Sequence, residues 1–272
     1  MSKKKSYEKD LAFYFVELFK SSDEGKLREY LLSNSNLPGP RGNLELADAF
    51  ADTVENYSVK ELERMWSLCQ ELISVSAAEA PTNNPREFLT FCGTIATGSI
   101  GSVSSAFFQK ALSCLQELAS DPRWRIREAV AMGIQKLLAK KSQRTLKALE
   151  DWIQNNNWLV MRAVAAGVAE PALLRDEQTA RRALELHKKI FASMLSATQR
   201  RSEEFKTLKQ GLGYTLSVVI QAIPNEGFEY TLLLVDSRDA DILWIVKQNL
   251  KKNRLTRNFP SEVASISKVL QE

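Results

Sequence analysis

The chain is poor in the residues that metal chemistry and nucleophilic catalysis need. It has one histidine, His187, and three widely spaced cysteines, Cys69, Cys92 and Cys114. No Cys-x-x-Cys pair occurs, so a Cys/His zinc site lacks ligands. Each cysteine sits in an apolar, helix-like context, and buried reduced thiols are expected. No serine or cysteine nucleophile has a histidine partner. His187 stands in a basic stretch, Leu186-His187-Lys188-Lys189, and reads as a solvated helix residue. No metal and no cofactor are expected. No apolar run approaches the roughly 20 residues of a bilayer span. The basic start Met1-Ser2-Lys3-Lys4-Lys5 is not followed by a signal-peptide apolar region. The chain therefore reads as cytoplasmic and without a membrane partner. Glycine is sparse, 11 residues in 272. Gly93, Gly98 and Gly101 lack Gly-x-Gly-x-x-Gly spacing and a following Gly-Lys, which argues against a phosphate loop. A helix–helix turn or tight helix packing is expected there instead.

What the chain does have is charge, unevenly spread. Residues 1–120 hold 12 Lys and Arg against 16 Asp and Glu; residues 121–272 hold 25 against 17. The second part is basic enough to suggest a polyanionic partner.

Helical periodicity runs through nearly every segment. Residues 35–42, with two prolines and two glycines, form a loop. Asn43 is placed to cap the helix that follows, and Ser58 with Glu61 to open another as a capping box. A helix is expected from Ser105 to Leu118. Asp121 and Pro122 then serve as cap and first helical residue. Tyr230 to Val235 resembles a strand in composition, but its neighbours argue for a short helix.

One pattern occurs three times. It reads Asp121-Pro-Arg-Trp124-Arg-Ile126-Arg127, Asn155-Asn-Asn-Trp158-Leu-Val160-Met161 and Asp241-Ile-Leu-Trp244-Ile-Val246-Lys247. The first two copies begin 34 residues apart, and a degenerate copy around Ser202-Glu-Glu-Phe205 falls in the longer gap before the third. Self-similarity at this period points to an array of helical hairpins. In such an array the polar residue caps a helix and the tryptophan fills space between hairpins, so Trp124, Trp158 and Trp244 are expected in the core.

This pattern resembles the HEAT repeat, an ARM-type α-solenoid class with Asp before the second helix of each hairpin and Val-Arg shortly after. The resemblance implies an all-α fold, a right-handed solenoid of stacked hairpins. One domain over residues 1–272 is expected, with a divergent cap at 1–103, clear repeats at 104–258 and a capping helix at 259–272. Within the HEAT-like class, Trp124-x-x-x-Glu128 also resembles the Trp-x-x-x-Asp element of alkylpurine DNA glycosylases of the DNA alkylation repair family, with Glu in place of Asp. Asp151-Trp152 to Trp158 is similar to another of their segments. Their later Gly-Trp pair is missing, since this chain has Gln248-Asn249-Leu250. The resemblance implies Glu128 as the one catalytic candidate.

Two basic clusters remain. Arg123, Arg125 and Arg127 surround Trp124, with Lys136, Lys140, Lys141, Arg144 and Lys147 beyond. Lys247, Lys251, Lys252 and Arg254 run without an acid, and Lys247, Lys251 and Arg254 share one helix face. Glu128 and Arg162 follow their tryptophans by four residues and are expected to pair. Together Arg123, Trp124, Arg125, Arg127, Trp158, Arg162, Lys247, Lys251, Lys252 and Arg254 form the candidate partner-binding set. The expected function is a non-enzymatic binding scaffold for a protein or a nucleic acid, including duplex or branched DNA. The alternative is a glycosylase-like repair protein.

Overall fold

The computed structural model describes residues 3–21 and 23–270. Met1 and Ser2 of the basic start, and residues 271–272 of the expected capping helix, lie outside the described residues. The described residues form helices and connecting turns, with no strand among them. None of their helices is long and apolar enough to cross a membrane. The helices group into two compact units, residues 1–141 and 142–272. The join falls at Lys141 inside α7 (Trp124–Ile153), where φ −135° and ψ 45° leave helical geometry.

Unit 1 holds α1 (Lys3–Ser21), α2 (Gly25–Ser33), α3 (Leu44–Ser58), α4 (Leu62–Ile73), α5 (Glu87–Val103), α6 (Ser105–Leu118) and the first part of α7. Helix α5 is its axis, packed against α2, α3, α4 and α6. After Glu87 it carries no charge, and its residues are buried from Glu87 to Ser102. A helix without a polar face has to be enclosed. Thr94 and Thr97 bond within the helix, to the Thr90 carbonyl at 2.7 Å and to that of Gly93 at 2.9 Å, and Thr90 donates out of it to the Leu72 and Val75 carbonyls, whereas Ser99 Oγ has no partner among the described residues. Of the two expectations for Gly93, Gly98 and Gly101, tight packing is what the structure shows. A Cβ on Gly98 would lie 2.2 Å from the Gly133 carbonyl oxygen, so α5 and α7 touch backbone to backbone. Cys69 and Cys92 are buried and Cys114 half-buried, all three free.

Charge ties the outer helices down. Lys136 donates to Asp48 and Asp52 at 2.6 Å, and Lys4 pairs with the same two acids. Burial by itself would raise the Asp48 carboxyl, but the two lysines hold it below its ordinary value. Lys140 pairs with Glu55. Lys136 and Lys140, read from the sequence as part of a basic cluster, are therefore neutralised by α3.

Unit 2 holds the remainder of α7, then α8 (Trp158–Val168), a 3-10 turn (Leu173–Arg175), α9 (Glu177–Ser196), α10 (Glu203–Ala222), α11 (Pro224–Asp236), α12 (Ala240–Leu250), α13 (Asn253–Thr256) and α14 (Pro260–Val269). Helix α10 packs against both α8 and α12. Helix α9 reaches α11 through the Phe191–Tyr230 ring pair and the Arg181–Glu226 ion pair.

Caps follow the expected chemistry, with shifts. Asn43 caps α3, accepting from the Leu46 N–H at 3.1 Å. Helix α6 runs from Ser105 to Leu118 as expected, with Ser104 as its cap. Residues 230–235 lie inside α11. Asn157 rather than Asn155 caps α8, and Asp239 rather than Asp241 caps α12. The capping box at Ser58 does not form. Ser58 ends α3 and its hydroxyl donates to the Val54 carbonyl at 2.7 Å, so it is not available to the next helix. Pro122 stays outside α7, which begins at Trp124.

His187 overturns its expectation. It is fully buried, not solvated. Its Nδ1–H donates to the Ala183 carbonyl at 2.8 Å, which leaves Nε2 to accept from the Thr215 hydroxyl at 3.0 Å. Burial lowers its pKa to about 4, against the opposing Ala183 hydrogen bond. Below its ordinary pKa of 6.5 the unfolded chain takes up a proton that the folded chain resists until about pH 4. Stability should therefore fall on acidification through that window, by about 3 kcal/mol when complete. Urea titrations between neutral pH and about pH 4.5 check this. The loss should shrink in His187→Gln; an equal loss in both proteins would assign it to other groups.

Candidate functional site

The two arginines flanking Trp124 are consumed by the architecture of unit 1. Arg123 is 3% exposed. It grips Asp121 through Nε and Nη2, at 3.0 and 2.8 Å, and donates from Nη1 to the Val75 and Ala80 carbonyls. Arg125 is 5% exposed. Its Nη1 donates to Glu87 Oε2 at 3.3 Å, and its Nη2 to the Gly39 carbonyl at 2.6 Å and Asn83 Oδ1 at 3.3 Å. Asn83 returns the link: its backbone N–H donates to Glu87 Oε2 at 2.8 Å, and its Oδ1 accepts from the Gly39 N–H. One guanidinium thus pins the loop at 37–42 to the start of α5. Arg127 donates to the carbonyls of Asp121 and Pro122. Arg123 and Arg125 leave almost no surface for a phosphate, because both are buried and their terminal nitrogens meet acceptors of their own unit.

Trp124 departs from expectation in the opposite direction. It is 43% exposed rather than core, with Arg125 Cζ 4.4 Å from its ring centroid. It opens α7, so the inward stripe of the helix begins after it, at Ile126, Ala129 and Val130. Its ring borders a cavity of about 260 Å³. Leu37, Leu44, Phe88, Phe91 and Met132 give that cavity an apolar lining. Arg41, Glu87, Arg125 and Glu128 supply its charges. Trp124 and Glu128, paired in the sequence by spacing, do line one cavity. Glu87 and Arg41 were not anticipated. An acid in the first turn of a helix ordinarily answers the helix dipole, and no local signal joins Glu87 to an arginine 38 positions later.

Unit 2 presents a different surface. Trp158 is half-buried, meeting Phe205 edge to face at 5.4 Å. Arg162 is half-buried with its stem over Gly211 of α10. Trp244, also expected in the core, is 36% exposed and lies across Gly213, where a Cβ would come within 3.1 Å of the ring. The copy containing it is out of register with the first two. Trp124 and Trp158 are the first residues of their helices, whereas Trp244 comes a full turn into α12.

Beside Trp244 stands a ring the sequence did not mark. Tyr214 is 45% exposed, with Arg254 Cζ 5.2 Å and Lys252 Nζ 6.0 Å from its centroid. Lys209 sits over Trp244 at 4.9 Å and is paired with Asp241. Trp244, Lys247, Gln248 and Lys251 follow one stripe of α12 and its end. Lys247 and Lys251 are exposed. Among the described residues Lys247, Lys251, Lys252 and Arg254 form no ion pair. The structure therefore gathers four of the anticipated cations around two exposed rings.

No group of three or more His, Cys, Asp or Glu side chains is placed to hold a metal ion among the described residues. Comparison of the chain with protein-family models, with curated proteins and with solved structures gives no match.

Proposed function

We propose that the chain is a cytoplasmic, non-enzymatic binding module built from right-handed stacks of HEAT-like hairpins, and that unit 2 contacts nucleic acid through α10, α12 and α13. The observation that carries this is the juxtaposition of Tyr214 and Trp244, both exposed, with four cations that no carboxylate among the described residues neutralises. Cations track phosphates irrespective of sequence. Exposed rings stack on bases, at about 1–3 kcal/mol per base. The combination suits DNA with accessible bases, such as branched DNA, better than an acidic protein, which has no use for the rings.

Gel-shift titrations of branched and duplex DNA over a salt series test it. Binding should weaken steeply with salt. Replacing Lys251, Lys252 and Arg254 by glutamine should flatten the log–log slope by about one unit for each phosphate that is no longer neutralised. Tyr214→Ala and Trp244→Ala should instead lower affinity roughly 5- to 150-fold, the equivalent of the stacking energy, and leave the slope unchanged. Absence of any complex at low salt removes nucleic acid as the partner.

A second reading, a glycosylase-like repair protein, has one observation in its favour: Trp124 and Glu128, which carry that resemblance, line one cavity. A carboxylate there would stabilise the sugar cation that develops as an alkylated base departs. On the module reading, methylated DNA releases no 7-methylguanine or 3-methyladenine above a protein-free control. Release that disappears in Glu128→Gln while DNA binding persists would establish the second reading in its place.

A further inference from the structure

The polar wall of the unit 1 cavity is incompletely bonded. Glu87 is fully buried, yet only its Oε2 is engaged; Oε1 has no hydrogen-bond partner among the described residues. Arg125 is in the same condition at Nε, while its two terminal nitrogens are engaged. Both residues line the cavity. Buried polar atoms are nearly always satisfied, and each exception calls for a water, an ion or a ligand group. Here the two exceptions are one acceptor and one donor on partners that already touch through Oε2 and Nη1.

The rest of the cavity narrows the choice. Two arginines and two glutamates line it, so its formal charges cancel and nothing favours a free ion. At about 260 Å³ it lies just below the usual range for small-molecule pockets, roughly 300–1,000 Å³. Its remaining surface is apolar and aromatic. Phe88 and Phe91 lie nearly parallel, 11° apart, and the Trp124 ring is partly open to solvent.

We infer that this cavity binds a neutral, flat heterocycle whose edge carries an N–H beside a hydrogen-bond acceptor, the donor–acceptor edge of a nucleobase. The ligand N–H donates to Glu87 Oε1, its acceptor receives the Arg125 Nε–H, and the ring lies among Trp124 and the two phenylalanines. The inference concerns unit 1 alone and does not rest on the nucleic-acid reading of unit 2.

Titration calorimetry of the full chain with inosine and with 1-methylinosine tests it. The two probes differ only in that N–H. Inosine should bind at least about tenfold more tightly, because a site built around a hydrogen bond rejects the analogue that lacks it. Glu87→Gln should abolish the preference. Trp124→Ala, at an exposed position, should keep the fold by circular dichroism and weaken inosine at least about fivefold. If Glu87→Gln fails to fold, the wild-type ratio and the Trp124→Ala loss decide. Equal affinities, a preference for the methylated probe, or no heat from either at millimolar concentration would overturn the inference and assign the cavity to water.

Discussion

Replacing Gly98 by alanine is expected to cost unit 1 about 3 kcal/mol or more, among the larger single-methyl effects the chain allows. In an unconstrained helix the same change stabilises by up to about 1 kcal/mol. Here the new Cβ would lie 2.2 Å from the Gly133 carbonyl oxygen and 2.6 Å from its Cα. Both obstacles are backbone, so no rotamer change relieves them, and α5 and α7 have to separate. Overpacking of this kind ordinarily costs about 1–3 kcal/mol, occasionally more, and the rigid obstacle places Gly98 at the upper end. Gly133→Ala should be milder, because its closest obstacle, at 2.8 Å, is the Leu115 side chain, which can turn. Gly211→Ala in unit 2 meets only the Arg162 side chain at 3.1 Å and should be close to neutral. Urea unfolding of the three variants checks the order. A Gly98→Ala chain as stable as the parent would mean that the two helices do not touch.

Arg125→Ala is expected to lose about 3–5 kcal/mol, because it leaves Glu87 as an uncompensated charge in the interior. The same change cuts the bonds to the Gly39 carbonyl and to Asn83. The loop at 37–42 should then become the first site of limited proteolysis. Arg125→Met together with Glu87→Gln should recover part of the loss, since the charge and its partner leave together. Lys251→Ala, on an exposed position without an ion pair, should change stability by no more than about 0.5 kcal/mol. If Arg125→Ala were equally neutral, the buried pair would contribute nothing to folding.

Neither of these two effects can be read in full from the sequence. The packing of α5 was half legible: an uncharged run with three glycines announces close contact but not with which helix. The Gly98–Gly133 approach and the Glu87–Arg125 pair each join positions more than 30 residues apart, and neither position carries a mark of the other. The basic cluster around Trp124 shows the same limit. Its charges are present, yet Arg123 and Arg125 face inward and Lys136 and Lys140 meet acids of α3. A charge count cannot separate a cation that faces solvent from one that holds a loop.

The amino-acid sequence by itself determined the helical class of the chain, its main loops and several caps. Those signals are local: a 3.6-residue apolar period, Asn43 ahead of α3, the start of α6 after Ser104, and prolines and glycines at 35–42. The break in α7 at Lys141 falls within the polar run from Lys140 to Arg144. Exposure was settled only by the folded chain. Trp124 and Trp244 share a sequence pattern with the half-buried Trp158 but lie at the surface. Tyr214 gains its cations from α13 and the turn before it, 38 to 40 positions away. His187 loses its solvent to α10. Burial and pairing are sums over neighbours brought in from elsewhere in the chain, and periodicity along one helix does not contain them.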